Sequence, residues 1–205
     1  MDEVWTAVIL ANLCHFLSVL VLYHLGVHLL SGYVNSKHQK VSFAAACFHI
    51  FSPAGIFLSA PYGESLFSLL NISGMLCYYK SSRARPCTDI RNRWHDLYLV
   101  AAGSLFGLGA VVRSNGLLSG TIFLYDLFWL FYNSLLDHRL FGSTHTLRYS
   151  GALVLAGSQI AVGFIIPQYF AYAEYCNDQV AGFVPRPWCK ALLPSIYNFV
   201  QDHYW

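Results

Sequence analysis

The sequence predicts an all-α polytopic membrane protein, a bundle of helical spans joined by short polar turns. Three observations predict it. Apolar residues make up 56% of the 205 positions and charged residues only 11%, against about 25% charged in an average soluble domain. Mean hydropathy is +0.47, and so few polar side chains cannot cover a water-soluble core of this length. Apolar runs of helical length recur between polar breaks, and the charges in those breaks alternate along the chain.

The runs cover residues 4–30, 41–60, 65–79, 97–112, 117–132 and 149–171, which gives six expected spans and a polar tail over 172–205. A hydrocarbon core of roughly 27 Å needs about 18 helical residues, so the third, fourth and fifth runs are short. Short helices broken by Gly or Pro are tolerated where they line a cavity or meet other protein, and seldom where they face lipid.

The first run opens on "MDEVWTAVIL", acidic where a secretory signal carries basic residues, and it is too long for a signal's apolar region. His15, His24 and His28 follow near-helical spacing within it, but no carboxylate accompanies them, so no metal site is predicted. The second and third runs meet in "SAPYGESLFSLL", which places Glu64 between two apolar segments beside a proline and a glycine. A carboxylate at the bilayer centre costs a few kcal/mol, roughly 3 on insertion scales. "PYGE" therefore reads as a tight turn at the membrane edge, with Glu64 starting the next helix, where its charge suits the positive end of the helix dipole.

The third run contains Asn71-Ile72-Ser73, a glycosylation sequon at a depth no oligosaccharide reaches. A second turn, "VVRSNGLLSG", sets Arg113 and Asn115 between the fourth and fifth runs, with Gly116 supplying the reversal. Arginine is suited to phosphate because its planar fork donates several hydrogen bonds at once. It can equally snorkel to the interface, or pair with Glu64. Asp126, in "FLYDLFWLF", is an intramembrane acid that fits a helix-packing hydrogen bond or a polar cavity.

The breaks sort by charge. Lys37, Lys40, Lys80, Arg83, Arg85, Arg91, Arg93, Arg139 and Arg148 occupy one set, nine of the twelve basic residues; only Arg113, Arg186 and Lys190 occupy the other. Positive charge favours the cytoplasmic side, so the turns of Tyr62–Glu64 and Arg113, and the tail, are expected on the lumenal or exterior face. The tail carries three prolines and is expected to lie against the membrane, with Trp188, Tyr197, Tyr204 and Trp205 at headgroup depth. The six cysteines form no C-x-x-C. Cys14, Cys47 and Cys77 read as small hydrophobes, while Cys176 and Cys189 either pair in an oxidising lumen or remain free thiols. There is no P-loop, G-x-S-x-G or H-E-x-x-H, and nothing supports nucleic-acid binding.

Three ordered blocks carry a resemblance. "FSPAGIFLSAPYGESLFSLL", "RSNGLL" and the tail from "PWC" to "YW" resemble blocks of the second GPI mannosyltransferase, or PIG-V, family, over about His49 to Trp205. The resemblance implies a GT-C-like transmembrane bundle in the endoplasmic reticulum membrane. It implies transfer of the second, α-1,6-linked mannose from dolichyl-phosphate mannose to the GPI glycolipid, with these two lipids as partners and a small accessory membrane subunit left open. The family's Trp-Asp pair, which supplies its catalytic acid, is absent, so no catalytic residue is assigned. The chain is expected to be a middle fragment of such an enzyme. Tyr62, Glu64, Arg113, Asn115 and Trp188 are the candidate substrate-binding residues. No cofactor or metal is expected, because arginine can neutralise a monophosphate leaving group. The alternatives are a non-catalytic membrane scaffold or accessory protein and a transporter fragment, although "SAPYGESLF" and "GAVVRSNGLL" show no internal repeat.

Overall fold

The structure, a computed structural model, describes residues 2–31, 37–52, 55–83, 93–136, 144–176, 187–190, 195, 196 and 199. The principal helices are α1 Asp2–Leu30, α2 Lys37–Ile50, α3 Gly55–Ser59, α4 Glu64–Arg83, α5 Arg93–Val112, α6 Thr121–Leu136 and α7 Thr144–Tyr175. Short 3-10 segments occupy Ser114–Gly120 and Pro187–Lys190, and among the described residues there is no strand. Arg85, Arg91, Arg139, Arg186, Tyr197, Tyr204 and Trp205 lie outside the described residues.

Within α1, α5 and α7, the stretches Glu3–Leu30, Trp94–Val112 and Thr146–Tyr175 are long and apolar enough to cross a membrane. Large apolar side chains such as Ile9, Phe16, Phe128 and Ile165 point outward. Hydrocarbon rather than water satisfies such faces, and the chain is a multi-pass membrane protein.

Two runs read as continuous in the sequence are divided in the structure. The stretch 41–60 forms α2 and then the separate α3, because Ser52 precedes Pro53 and a residue before proline disfavours the helical region. The stretch 117–132 begins as the 3-10 segment, and α6 starts only at Thr121, whose Oγ1 donates to the Leu118 carbonyl at 2.7 Å.

α5 is the central helix. It runs antiparallel to α4, with Gly63 against Val112, Phe67 beside Gly109 and Gly74 under the Phe106 ring. On its other side α7 runs parallel, and the two backbones nearly touch. A Cβ on Gly103 would sit 2.6 Å from Ala156 Cα, and one on Gly163 would sit 2.1 Å from the Gly107 carbonyl oxygen. Gly103 and Gly107 thus form a small-xxx-small seam, the device by which membrane helices gain dispersion contact where no hydrophobic effect drives them together. Leu99, Phe106, Phe123, Leu153 and Ile160 fill the core around this seam.

Polar side chains fix the helix register. Asp126 Oδ2 on α6 accepts from the Tyr78 hydroxyl on α4 at 2.8 Å and from the Tyr149 hydroxyl on α7 at 2.9 Å. Of the two roles open to this acid, the structure assigns the helix-packing bond. Ser119 donates to Asn71 Oδ1 at 3.0 Å, so the sequon asparagine is engaged inside the bundle. At the far end of the molecule Asp96 holds Arg148 Nε at 2.5 Å and His95 Nδ1 at 2.9 Å.

Candidate functional site

Glu64 and Arg113 meet at one end of the bundle, and local backbone chemistry explains both positions. Pro61-Tyr62-Gly63 turns the chain tightly, with the Tyr62 N–H donating to the Ala60 carbonyl at 2.7 Å. α4 then begins at Glu64, which puts the carboxylate at the positive end of the dipole. Arg113 caps the end of α5: its N–H donates to the Gly109 carbonyl at 2.9 Å, and its own carbonyl accepts from the Gly116 N–H at 2.9 Å. Its backbone is extended, at φ −144 and ψ 134. Gly116 lets the 3-10 segment pack directly onto α5, since a Cβ there would lie 2.5 Å from the Ala110 nitrogen.

From these two turns, 49 residues apart, Arg113 Nη1 and Glu64 Oε2 form an ion pair, and the guanidinium carbon stands 6.0 Å over the Phe67 ring. The pair borders a cleft of about 320 Å³ lined by Tyr62, Gly63, Glu64, Val112 and Arg113. The side chains are 42% and 30% exposed, so the pair contributes at most about 1 kcal/mol to stability. It is too open to serve mainly as a fold-holder. A guanidinium has five N–H donors in a rigid fork, so contact through Nη1 leaves it capacity for an anion. Tyr62, largely exposed, presents an aromatic face at the mouth.

The other two candidates lie elsewhere. Asn115 is exposed on the 3-10 segment and does not line the cleft. Trp188 is buried at 6% exposure and does not line the cleft. The Cys176–Cys189 disulfide, Cα–Cα 5.6 Å, ties Pro187–Lys190 to the end of α7. Of the two states open to these cysteines, the structure assigns the disulfide.

Deeper in the bundle, His49 Nε2 lies 3.2 Å from Ser18 Oγ and 3.5 Å from Ser68 Oγ, and its ring meets His15 edge-on at 5.4 Å. Among the described residues, no three His, Cys, Asp or Glu side chains converge as a metal set. The sequence reading missed Phe67 beneath Arg113 and the wall made by Gly63 and Val112. The signal available for Phe67 was its position one helical turn beyond Glu64.

Fold and site together define an all-helical multi-pass membrane protein with a charged cleft at one end of its bundle. Over residues 4–205 the sequence matches the family model described as Mannosyltransferase (PIG-V), and the chain belongs to that family. It is 42% identical over 201 residues to a GPI mannosyltransferase 2 from Aspergillus oryzae, covering 98% of this chain and 44% of the relative. It is 46% identical over 188 residues to the protein of that name from Aspergillus fumigatus, covering 92% and 41%. Against the Rattus norvegicus GPI alpha-1,6-mannosyltransferase 2, identity is 31% over 185 residues, covering 81% and 34%. The chain spans less than half the length of these curated relatives. No solved structure matches.

Proposed function

We propose that this chain supplies the donor-phosphate cleft of a mannosyltransferase in the endoplasmic reticulum membrane. The enzyme moves mannose from dolichyl-phosphate mannose to a GPI intermediate in the lumen, forming the α-1,6-linked second mannose. The observation that carries the proposal is the Glu64–Arg113 pair, assembled from two turns at one end of a membrane bundle and opening onto a cleft. Membership of the PIG-V family supports the reaction class. The charge distribution of the breaks and a disulfide at the end of α7 both support a lumenal position for this end of the bundle.

The chemistry follows from the substrate. The bond between the anomeric carbon and the phosphate oxygen breaks while the acceptor's hydroxyl oxygen attacks that carbon, and the electron pair leaves with the dolichyl phosphate. Arg113 faces the phosphate and stabilises its growing charge through the planar fork. Glu64 holds the guanidinium in register between turnovers. Tyr62 offers a flat apolar surface to a pyranose ring. A monophosphate leaving group neutralised by arginine requires no metal. The hydroxyl proton needs a carboxylate base, and none of the residues lining this cleft is given that role.

The test uses a full-length chimera in which this chain replaces the matching segment of the Aspergillus oryzae relative. It is expressed in cells lacking the endogenous second GPI mannosyltransferase. Microsomes given radiolabelled dolichyl-phosphate mannose and a GPI intermediate with one mannose should yield a product whose label is released by an α-1,6-specific mannosidase. Absence of transfer at normal protein abundance, or a label resistant to that enzyme, would refute the proposal.

A further inference from the structure

We infer that the seam between α6 and α7 seats the polyisoprenoid chain of the lipid-phosphate donor, an inference that rests on the mannosyl-transfer reading above. An apolar cavity of about 630 Å³ opens along this seam, walled by Leu118, Phe123, Leu124, Leu153 and Val154, with Gly157 at its floor. A second cavity of about 260 Å³ shares Leu127 with the first and continues to Ser134 and Thr146. Together they follow α6 from its first turn to its last. At about 1.5 Å per residue, that helix rises about 24 Å, most of a hydrocarbon core of roughly 30 Å.

Two features support this occupant and its place. The first is proximity: the seam and the charged cleft share no lining residue, and the 3-10 segment joins them along the chain. Leu117 and Leu118 at the head of the seam belong to the same 3-10 segment that begins directly after Arg113. At about 2 Å of rise per residue, the seam opens within about 10 Å of the Arg113 backbone. An amphiphile with its phosphate on that guanidinium and one long apolar chain matches the two compartments in order. The second is the pattern of glycines on α7. A Cβ on Gly163 would collide with the Gly107 backbone at 2.1 Å, so that glycine serves helix packing. A Cβ on Gly157 would meet nothing within 4 Å, so its missing side chain leaves open the space that forms the seam. Gly151 is equally unopposed but lines neither cavity, which makes it a matched control on the same helix.

The test compares two donors in microsomes carrying the chimera: dolichyl-phosphate mannose and its two-isoprene analogue, citronellyl-phosphate mannose. Gly157→Trp should raise the apparent KM for the long donor tenfold or more while leaving that for the short donor within twofold. Gly151→Trp should leave both unchanged. An equal change for both donors, or no change for either, would overturn the seam assignment. Photolabelling with a benzophenone-tagged dolichyl phosphate tests the same assignment without activity or substitution. Label should fall on α6 and α7 peptides and be displaced by dolichyl phosphate, not by phosphatidylcholine; label elsewhere, or displacement by phosphatidylcholine, would overturn it. Complete absence of transfer counts against the reading of function. Intact transfer that is blind to chain length counts against the seam alone.

Discussion

At the scale of single residues, two acids next to apolar runs have different roles. Glu64 is at the bundle's end with an arginine partner and access to water, whereas Asp126 is held between two phenols in the helix-packed interior. The sequence made the position of Glu64 legible, because Pro, Gly and a following apolar run specify a turn and a helix start. It left the partner of Arg113 open, since phosphate, interface and Glu64 all suit a guanidinium. Tyr78 and Tyr149 were not legible as partners of Asp126, because each is one of many tyrosines and their convergence depends on how three helices, α4, α6 and α7, pack. Hydrogen bonds between membrane helices are worth about 1 kcal/mol each, so Tyr78→Phe and Tyr149→Phe should each lower the thermal stability of the purified chimera in detergent by about that amount. Their effects should disappear in an Asp126→Ala background, the non-additivity expected of groups sharing one acceptor. Full additivity with Asp126→Ala would show that the phenols act through other neighbours.

At the scale of elements, the apolar runs fall within helices but gave neither the helix ends nor the internal breaks: α4 and α5 each run 20 residues, longer than the runs 65–79 and 97–112 that were expected to be short. The division of 41–60 into α2 and α3 traces to Pro53, while Tyr62 and Glu64 belong to the separate turn between α3 and α4. The late start of α6 follows from the 3-10 segment packed onto α5 through Gly116. The α5–α7 seam was less legible: glycine is frequent in membrane helices, and only the packed pair distinguishes Gly163, in backbone contact, from Gly151, facing open space. That difference has opposite consequences for stability. Gly163→Ala should destabilise by about 1–3 kcal/mol through overpacking, while Gly151→Ala should be neutral or stabilising by up to about 1 kcal/mol through helix propensity. Thermal unfolding in detergent of the two variants reads both signs, and equal behaviour would mean that α7 does not approach α5 through Gly163.

At the scale of the whole molecule, the one-sided distribution of basic residues predicts which end of the bundle faces away from the cytoplasm. The structure adds that the turn at Glu64, the turn at Arg113 and the disulfide after α7 belong to helix ends on one face of the bundle, since α4 runs antiparallel and α7 parallel to α5. The cleft was partly legible, because the charge pattern put both turns on one side and left Glu64 as one possible partner of Arg113; the structure brings the two charges, 49 residues apart, together. The central claim is that Arg113 receives the donor's phosphate, and the rate of mannosyl transfer by the chimera tests it directly. Arg113→Ala, at unchanged abundance and thermal stability, should lower kcat/KM for dolichyl-phosphate mannose by about 10²–10³-fold, the loss typical of removing a donor aimed at developing charge. Arg113→Lys should recover only part of that rate, because a point charge does not reproduce the planar fork. Transfer by Arg113→Ala at the unmodified rate would contradict the claim and leave Arg113 as an interface residue.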